Sequence, residues 1–220
     1  MSVSVNTSGT LSTSTSEQDL ATITSAGVFQ AVIDISALNF ADAGFIREYY
    51  KLTSGGTERL LKEYPIAAYS ADAIFITTPR VSPFSLRYSL QQDLGVTRSV
   101  PWAIHALAST PVLNTNNTQT TTIGTEHTLA TLTTGKTFQL CVDLNPLGGG
   151  SSPDELYIRE YIKPTSGGTE QIFEEYSISG AMVEKMFISI PRLSAASLKY
   201  TLLQYAGTSR NIDWAIHEIA

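Results

Sequence analysis

The chain has 220 residues and a mass of 23.8 kDa, enough for one large domain or two small ones. Its 14 Lys and Arg against 20 Asp and Glu leave a net charge of −6 and a pI near 5.0, which excludes a phosphate-tracking nucleic-acid binder and disfavours an anionic membrane surface. With 42% hydrophobic but only 15% charged residues, the chain is globular with a surface filled by Ser, Thr, Gln and Asn, which suits a protein packed against others.

Residues 1–16 are dominated by Ser, Thr, Val and Asn and show no periodicity able to bury a face. The composition predicts a flexible arm, or a strand that adds to a neighbouring subunit. The first residues lack the basic start and apolar centre of a secretion signal, and no run is long enough to span a membrane, so the protein is expected to be made and kept in the cytoplasm until it joins a larger assembly.

Residues 17–108 alternate in a way that predicts about seven short strands. Leu20–Thr24 opens the set, and Phe29, Ala31, Ile33 and Ile35 are apolar on alternate positions. Phe45–Leu52 and Glu58–Tyr64 flank Thr-Ser-Gly-Gly-Thr, where Gly55-Gly56 predicts a two-residue hairpin turn with positive φ. A strand over Ala73–Thr78 is stopped by Pro79, which lacks an N–H. Leu86, Tyr88 and Leu90 form the next, and Val100–Leu107 the last, with Trp102 and Ile104 on one face and His105 on the other.

The block Ile46–Tyr64, IREYYKLTSGGTERLLKEY, returns 112 residues later as Ile158–Tyr176, IREYIKPTSGGTEQIFEEY. The chain is therefore a tandem duplication, with the second copy over 125–220 and an Asn/Thr-rich linker over 109–124. Leu129-Ala130-Thr131 matches Leu20-Ala21-Thr22 at a spacing of 109, so three residues are inserted before the hairpin; the loop Pro146–Pro153 is the natural place. Glu170–Tyr176 has helix-forming residues, but the hairpin demands a strand. The pattern predicts two antiparallel β-sandwiches, jelly-roll or immunoglobulin-like.

Candidate sites are few. Cys141 sits in an apolar run, matches Val32 of the first copy, and reads as a buried structural thiol. His105 and His217 are repeat equivalents opposite their Trp residues and are expected to face solvent or a subunit contact; His127 has no histidine counterpart. No metal spacing surrounds them, so neither metal nor cofactor is expected. Arg47-Glu48 and Arg159-Glu160 are strand neighbours that point to opposite faces, which predicts ladders with Tyr across an outer face rather than a catalytic pair. Glu174-Glu175 is read in the same way, and no nucleophile, metalloprotease or phosphate-loop motif occurs. Pro79-Arg80 and Pro191-Arg192 recur at one strand end, where Arg80 and Arg192 either meet a partner's carboxylate or cap a solvated turn. Tyr50 and Tyr161 are further interface candidates, and with Tyr49 and Tyr157 they are the platforms of a rival carbohydrate-binding reading.

The IREY block, the Gly-Gly hairpin, the turn Gly207-Thr208-Ser209-Arg210 with its looser partner Gly95-Val96-Thr97-Arg98, and the closing Trp-x-Ile strand resemble small virion structural proteins of tailed bacteriophages. The resemblance covers both copies. It implies a non-enzymatic auxiliary or decoration protein on the head, bound to the major capsid protein, or else a neck or tail component. Two equivalent domains per chain also suit a homotrimer acting as a pseudo-hexamer on a six-fold site.

Overall fold

The structure is a computed structural model that describes residues 3–39, 41–67, 73–82, 84–107, 111–148, 153–180, 182–194 and 196–219. The chain divides into two compact units, Met1–Pro111 and Val112–Ala220. In the first, the strands are β1 (Val3–Ser12), β2 (Gln18–Ile23), β3 (Gly27–Asp34), β4 (Ala43–Lys51), β5 (Glu58–Ala67), β6 (Ile74–Ile76), β7 (Arg80–Ser82), β8 (Ser85–Leu94) and β9 (Ser99–Leu107). The second repeats them as β10 (Pro111–Thr120), β11 (Glu126–Leu132), β12 (Thr137–Asp143), β13 (Glu155–Lys163), β14 (Gln171–Ser179), β15 (Met186–Ile188), β16 (Arg192–Leu193), β17 (Ser197–Ala206) and β18 (Asn211–Ile219).

Each unit is a pair of sheets. One has the order β1-β9-β3-β6 with β7 also on β3, the other β2-β8-β4-β5; the second unit repeats both as β10-β18-β12-β15 with β16 on β12, and β11-β17-β13-β14. Within a unit the chain changes sheet at each connection except the β4–β5 or β13–β14 hairpin and the short break between β6 and β7 or β15 and β16. With the broken strand counted as one, this is the eight-stranded double-sheet jelly roll, and the immunoglobulin-like alternative is set aside.

The alternation in β4 shows why these residues fold this way. Gly44, Ile46, Glu48 and Tyr50 are buried and their neighbours are not, so one face of the strand meets the opposite sheet. In the second unit Leu156 and Ile158 of β13 join Leu198 and Tyr200 of β17, and Phe138 of β12 with Trp214 of β18 close the core from the other sheet. Bulges recur at equivalent places, between Glu48 and Tyr49 against β5 and between Glu160 and Tyr161 against β14.

Four expectations change. Residues 3–12 form β1, paired with β9 of their own unit from Val3↔Leu107 to Ser12↔Ser99, and are not a free arm. The stretch expected as a linker contains β10, the matching strand on β18; residues 108–110 lie outside the described residues. Both are edge strands: β1 is exposed along most of its length, and β10 turns only Pro111, Leu113, Thr115 and Gln119 partly inward, so neither carries a clear hydrophobic alternation. The glycine pairs of the hairpins hold no positive φ. The loop is longer than two residues, and its turn closes by Gly56 N donating to Thr53 O at 3.0 Å and Gly168 N to Thr165 O at 3.0 Å.

The three-residue insertion falls where the spacing predicts it. Asn39 and Gly148, still 109 apart, donate their N–H to Asp42 and Asp154, already 112 apart. Of the loop between them, residues 149–152 lie outside the described residues.

Candidate functional site

In each unit a carboxylate is carried into the sandwich. Glu48 occupies the inward phase of β4 and is fully buried, so the outer-face ladder expected for it is corrected. Its partner comes from the other sheet. β6 stops before Thr77, whose N–H bonds Ala31 O at 3.0 Å while its hydroxyl accepts the Ala31 N–H at 3.0 Å. The ladder is thereby broken without leaving Ala31 unsatisfied, and beyond Pro79 the chain rejoins β3 with Arg80 opposite the core residue Phe29. Arg80 therefore points inward. Its Nε meets Glu48 Oε2 at 3.0 Å, and the Tyr64 hydroxyl donates to the same oxygen at 3.2 Å. The Tyr64 ring packs edge-on against Phe75, 5.0 Å away, at the strand edge.

The second unit builds the same clasp. Ser189 stands for Thr77 in bonding Leu140, and Arg192 Nε meets the buried Glu160 Oε2 at 2.8 Å. Arg192 Nη2 also reaches Glu174 at 3.4 Å and the Tyr176 hydroxyl at 3.5 Å, and its guanidinium lies 4.7 Å over the Phe173 ring. Arg80 and Arg192 thus answer carboxylates of their own domains rather than a partner's.

The electrostatics follow from burial. Desolvation pushes Glu48 and Glu160 above the usual carboxylate range, with the facing arginine opposing it in each case. The Tyr64 phenol is raised to about 12 by burial and the Glu48 charge. Among the described residues Glu160 Oε1 is left without a hydrogen-bond partner, whereas the Thr77 hydroxyl stands by Glu48 and Tyr88 and the Ser189 hydroxyl by Tyr200.

The outer face of the β2-β8-β4-β5 sheet carries the ladder that Arg47 was expected to join. Arg47 bonds Glu63 at 2.6 Å, Gln91 at 2.6 Å and Glu17 at 3.1 Å, and Tyr49 donates to Glu17 at 3.0 Å. Arg87 lies 3.8 Å over the Tyr49 ring and bonds Glu58 and Asp19, each at 2.7 Å. Burial opposes ionisation of Glu17, but the Ser89 and Tyr49 hydroxyls with Arg47 and Arg87 hold it below its ordinary value. In the second unit Glu126 takes this place, bound by Arg159 at 3.0 Å, by the Tyr161 hydroxyl at 2.7 Å and by Thr201; Lys199 sits 4.2 Å over the Tyr161 ring and pairs with Glu170.

Sequence reasoning missed a third cluster. Asp42, almost fully buried, accepts the N–H of Asn39 at 2.8 Å and of Val96 at 3.1 Å, Arg98 Nε at 2.9 Å and Gln92 Nε2 at 3.1 Å. Asp154 repeats this with Gly148, Thr208, Arg210 and Gln204. The Asn39 N–H leads the groups that hold Asp42 below the usual carboxylate range; for Asp154, burial works upward and is outweighed by the Gly148 and Thr208 N–H groups. Gly95 and Gly207, at φ +106° and +98°, are required here, because a Cβ would stand 1.9 Å from Asp42 Oδ1 or 2.1 Å from Asp154 Oδ1. The signal was available: Asp, Gln, Gly and Arg all recur at 112.

The remaining candidates are placed as follows. Tyr50 is wholly buried in the core, which removes it as an interface residue, because it shares the inward phase of Ile46. Tyr161 is half-buried and held in the Glu126 ladder. His217 does not face solvent; it is fully buried with Nδ1 3.6 Å from Cys141 Sγ, and burial lowers its pKa to about 4. Trp214 is a core residue, whereas Trp102 is half-buried against Gly9 of β1. Among the described residues no three His, Cys, Asp or Glu side chains gather as a metal set.

No family model matches the sequence, and no curated protein matches it. Among solved structures, the chain aligns over all of its length and 86% of the PBSX exported protein XepA, at 7% identity and a TM-score of 0.34. A structure of the Macrobrachium rosenbergii nodavirus aligns over 100% of this chain and 90% of its own, at 11% identity and 0.31. The CBM22-1-CBM22-2 tandem domain of Paenibacillus barcinonensis Xyn10C aligns over 99% and 89%, at 8% identity and 0.28. These likenesses carry no weight for function.

Proposed function

We propose that this chain is a non-enzymatic structural component of a tailed-bacteriophage virion, a head decoration protein seated on the major capsid protein and assembled in the host cytoplasm. The observation that carries the proposal is the duplication of a complete jelly roll with its fastenings intact: clasp, ladder and aspartate lock recur in both units. Double-sheet jelly rolls build viral capsid and lectin domains, and the use of that fact here is fold-level analogy. Two equivalent units per chain let three chains occupy a six-fold site as a pseudo-hexamer. Such a role needs no cofactor and no metal.

Quantitative mass spectrometry of purified particles tests this. A copy number equal to the major capsid protein or a simple fraction of it supports the head location. A count typical of one ring or fibre moves the chain to the neck or tail, and absence from particles overturns the virion reading.

The carbohydrate-binding alternative keeps one specific foothold. Tyr50 is buried, and cations cover the rings of Tyr49 and Tyr161. Tyr157, however, meets the largely exposed Tyr205 edge-on at 6.1 Å. Glycan-array binding that disappears with Tyr205→Ala would favour that reading.

A further inference from the structure

The four sheets present eight edges, and most are blunted. β2 carries Asp19 and β11 carries Glu126; β5 carries Glu58, Arg59, Lys62 and Glu63, and β14 carries Glu174 and Glu175. The β6/β7 and β15/β16 edges are broken into pieces of two or three residues. These are the devices by which β-proteins keep edges from pairing with other chains. β1 and β10 lack the charges and the breaks; what guards they have stand near their starts, a bulge between Val5 and Thr7 in β1 and Pro111 in β10. Each is ten residues long, and neither VSVNTSGTLS nor PVLNTNNTQT contains a charged side chain, although at 15% charged about three would stand among the twenty residues.

The absence of charge is retained while the side chains diverge. At the spacing of 108 set by Thr13 and Thr121, Ser8 corresponds in sequence to Asn116, Gly9 to Asn117 and Leu11 to Gln119, yet no charge enters either strand. A single bulge near Asn6 interrupts β1, and from Thr7↔Ile104 to Ser12↔Ser99 its ladder on β9 is regular. Six residues of flat edge, about 20 Å, therefore hold outward N–H and C=O groups with no side-chain guard.

We propose that β1 and β10 are association edges, each of which pairs antiparallel with such an edge of a second copy of this chain. Net charge selects the occupant. Two copies at −6 repel over most of their surfaces, and these uncharged strips are where they can approach closely without setting like charges opposite each other. Edge pairing joins the strips through backbone groups and asks little of side-chain identity, which fits their divergence. The inference deepens the structural-component reading and rests on it for its biological setting.

The test is sedimentation of the full chain with Ser8→Lys, Asn116→Lys and the double variant. Both positions are exposed. Lysine lowers the net negative charge, so general repulsion cannot explain a loss of association. The wild type is expected to sediment as a multiple of 23.8 kDa. The double variant is expected to weaken self-association on the order of tenfold or more, with an unfolding midpoint equal to that of the wild type at dilutions where both are dissociated. Amide exchange of the wild type gives an independent measure: β1 and β10 should gain protection as concentration rises. A monomeric wild type, an oligomer that survives both lysines, or edge protection independent of concentration would overturn the proposal. Particle mass spectrometry separates it from the virion reading, because absence from particles leaves a measured edge contact standing.

Discussion

Arg80→Ala is the sharpest perturbation of the clasp. Glu48 has no exposed surface and Arg80 keeps 16% of its side chain exposed, so water replaces little of what the guanidinium supplies. Stripping one partner from a buried ion pair costs about 3–5 kcal/mol. Glu48 can escape only by taking up a proton. From an ordinary carboxyl value of 4.5, neutralisation at pH 7 costs about 3.4 kcal/mol, at 1.36 kcal/mol per pH unit, and at pH 5 about 0.7. The deficit should therefore shrink by roughly 2–3 kcal/mol between pH 7 and pH 5. Denaturant unfolding of wild type and Arg80→Ala at both pH values reads this directly. The paired replacement Glu48→Met with Arg80→Met should recover most of the loss, since an apolar pair of similar volume leaves no charge stranded. A cost below about 1 kcal/mol at pH 7, or one that does not change with pH, would refute the claim that Arg80 compensates a buried carboxylate.

Three further outcomes are expected. Gly95→Ala and Gly207→Ala should each destabilise by more than about 2 kcal/mol in thermal unfolding, because positive φ and the nearby aspartate oxygen act together, whereas Gly55→Ala should cost far less, having open space around it. Folded-state pKa values below the unfolded ones at Asp42, Asp154, Glu17 and Glu126 make their stabilisation present above pH 4.5 and lost as pH falls through the folded values; Glu48 and Glu160, raised, contribute stability that is lost as pH rises through theirs. The unfolding midpoint should thus fall steeply below about pH 4, and Asp42→Asn with Asp154→Asn should flatten that fall. Buried Cys141 should resist an aromatic disulfide reagent in the native protein and react in denaturant; rapid native reaction would contradict its burial.

The duplication, the sandwich class and the position of the insertion were legible because they live in spacing and period-two alternation. Alternation also held the key to Glu48 and Tyr50, which share parity with Ile46, but the adjacent Tyr49 and Tyr50 offer either phase and an acid is normally assigned to water. β1 and β10 were illegible for a physical reason: an edge strand that buries little, and does so through Thr, Gln and a few aliphatics, leaves almost no hydrophobic alternation to read. His217 shows a different limit. Its face, opposite Trp214, was correct, but parity names a face without saying whether that face is covered. Strand order needed the coordinates, since the same alternation serves a jelly roll and an immunoglobulin sandwich.

The aspartate lock makes the length of one loop nearly independent of the fold. Asp42 closes a neck spanning two intervening residues, Asn39 to Asp42, and Asp154 closes the same neck around five, Gly148 to Asp154. Lengthening a flexible loop costs only about 0.6 kcal/mol per doubling, so the neck rather than the span fixes the flanking strands. Foreign peptides spliced between Gly148 and Asp154 should leave the host unit folded, which makes this position a port for carrying added sequences on the second unit.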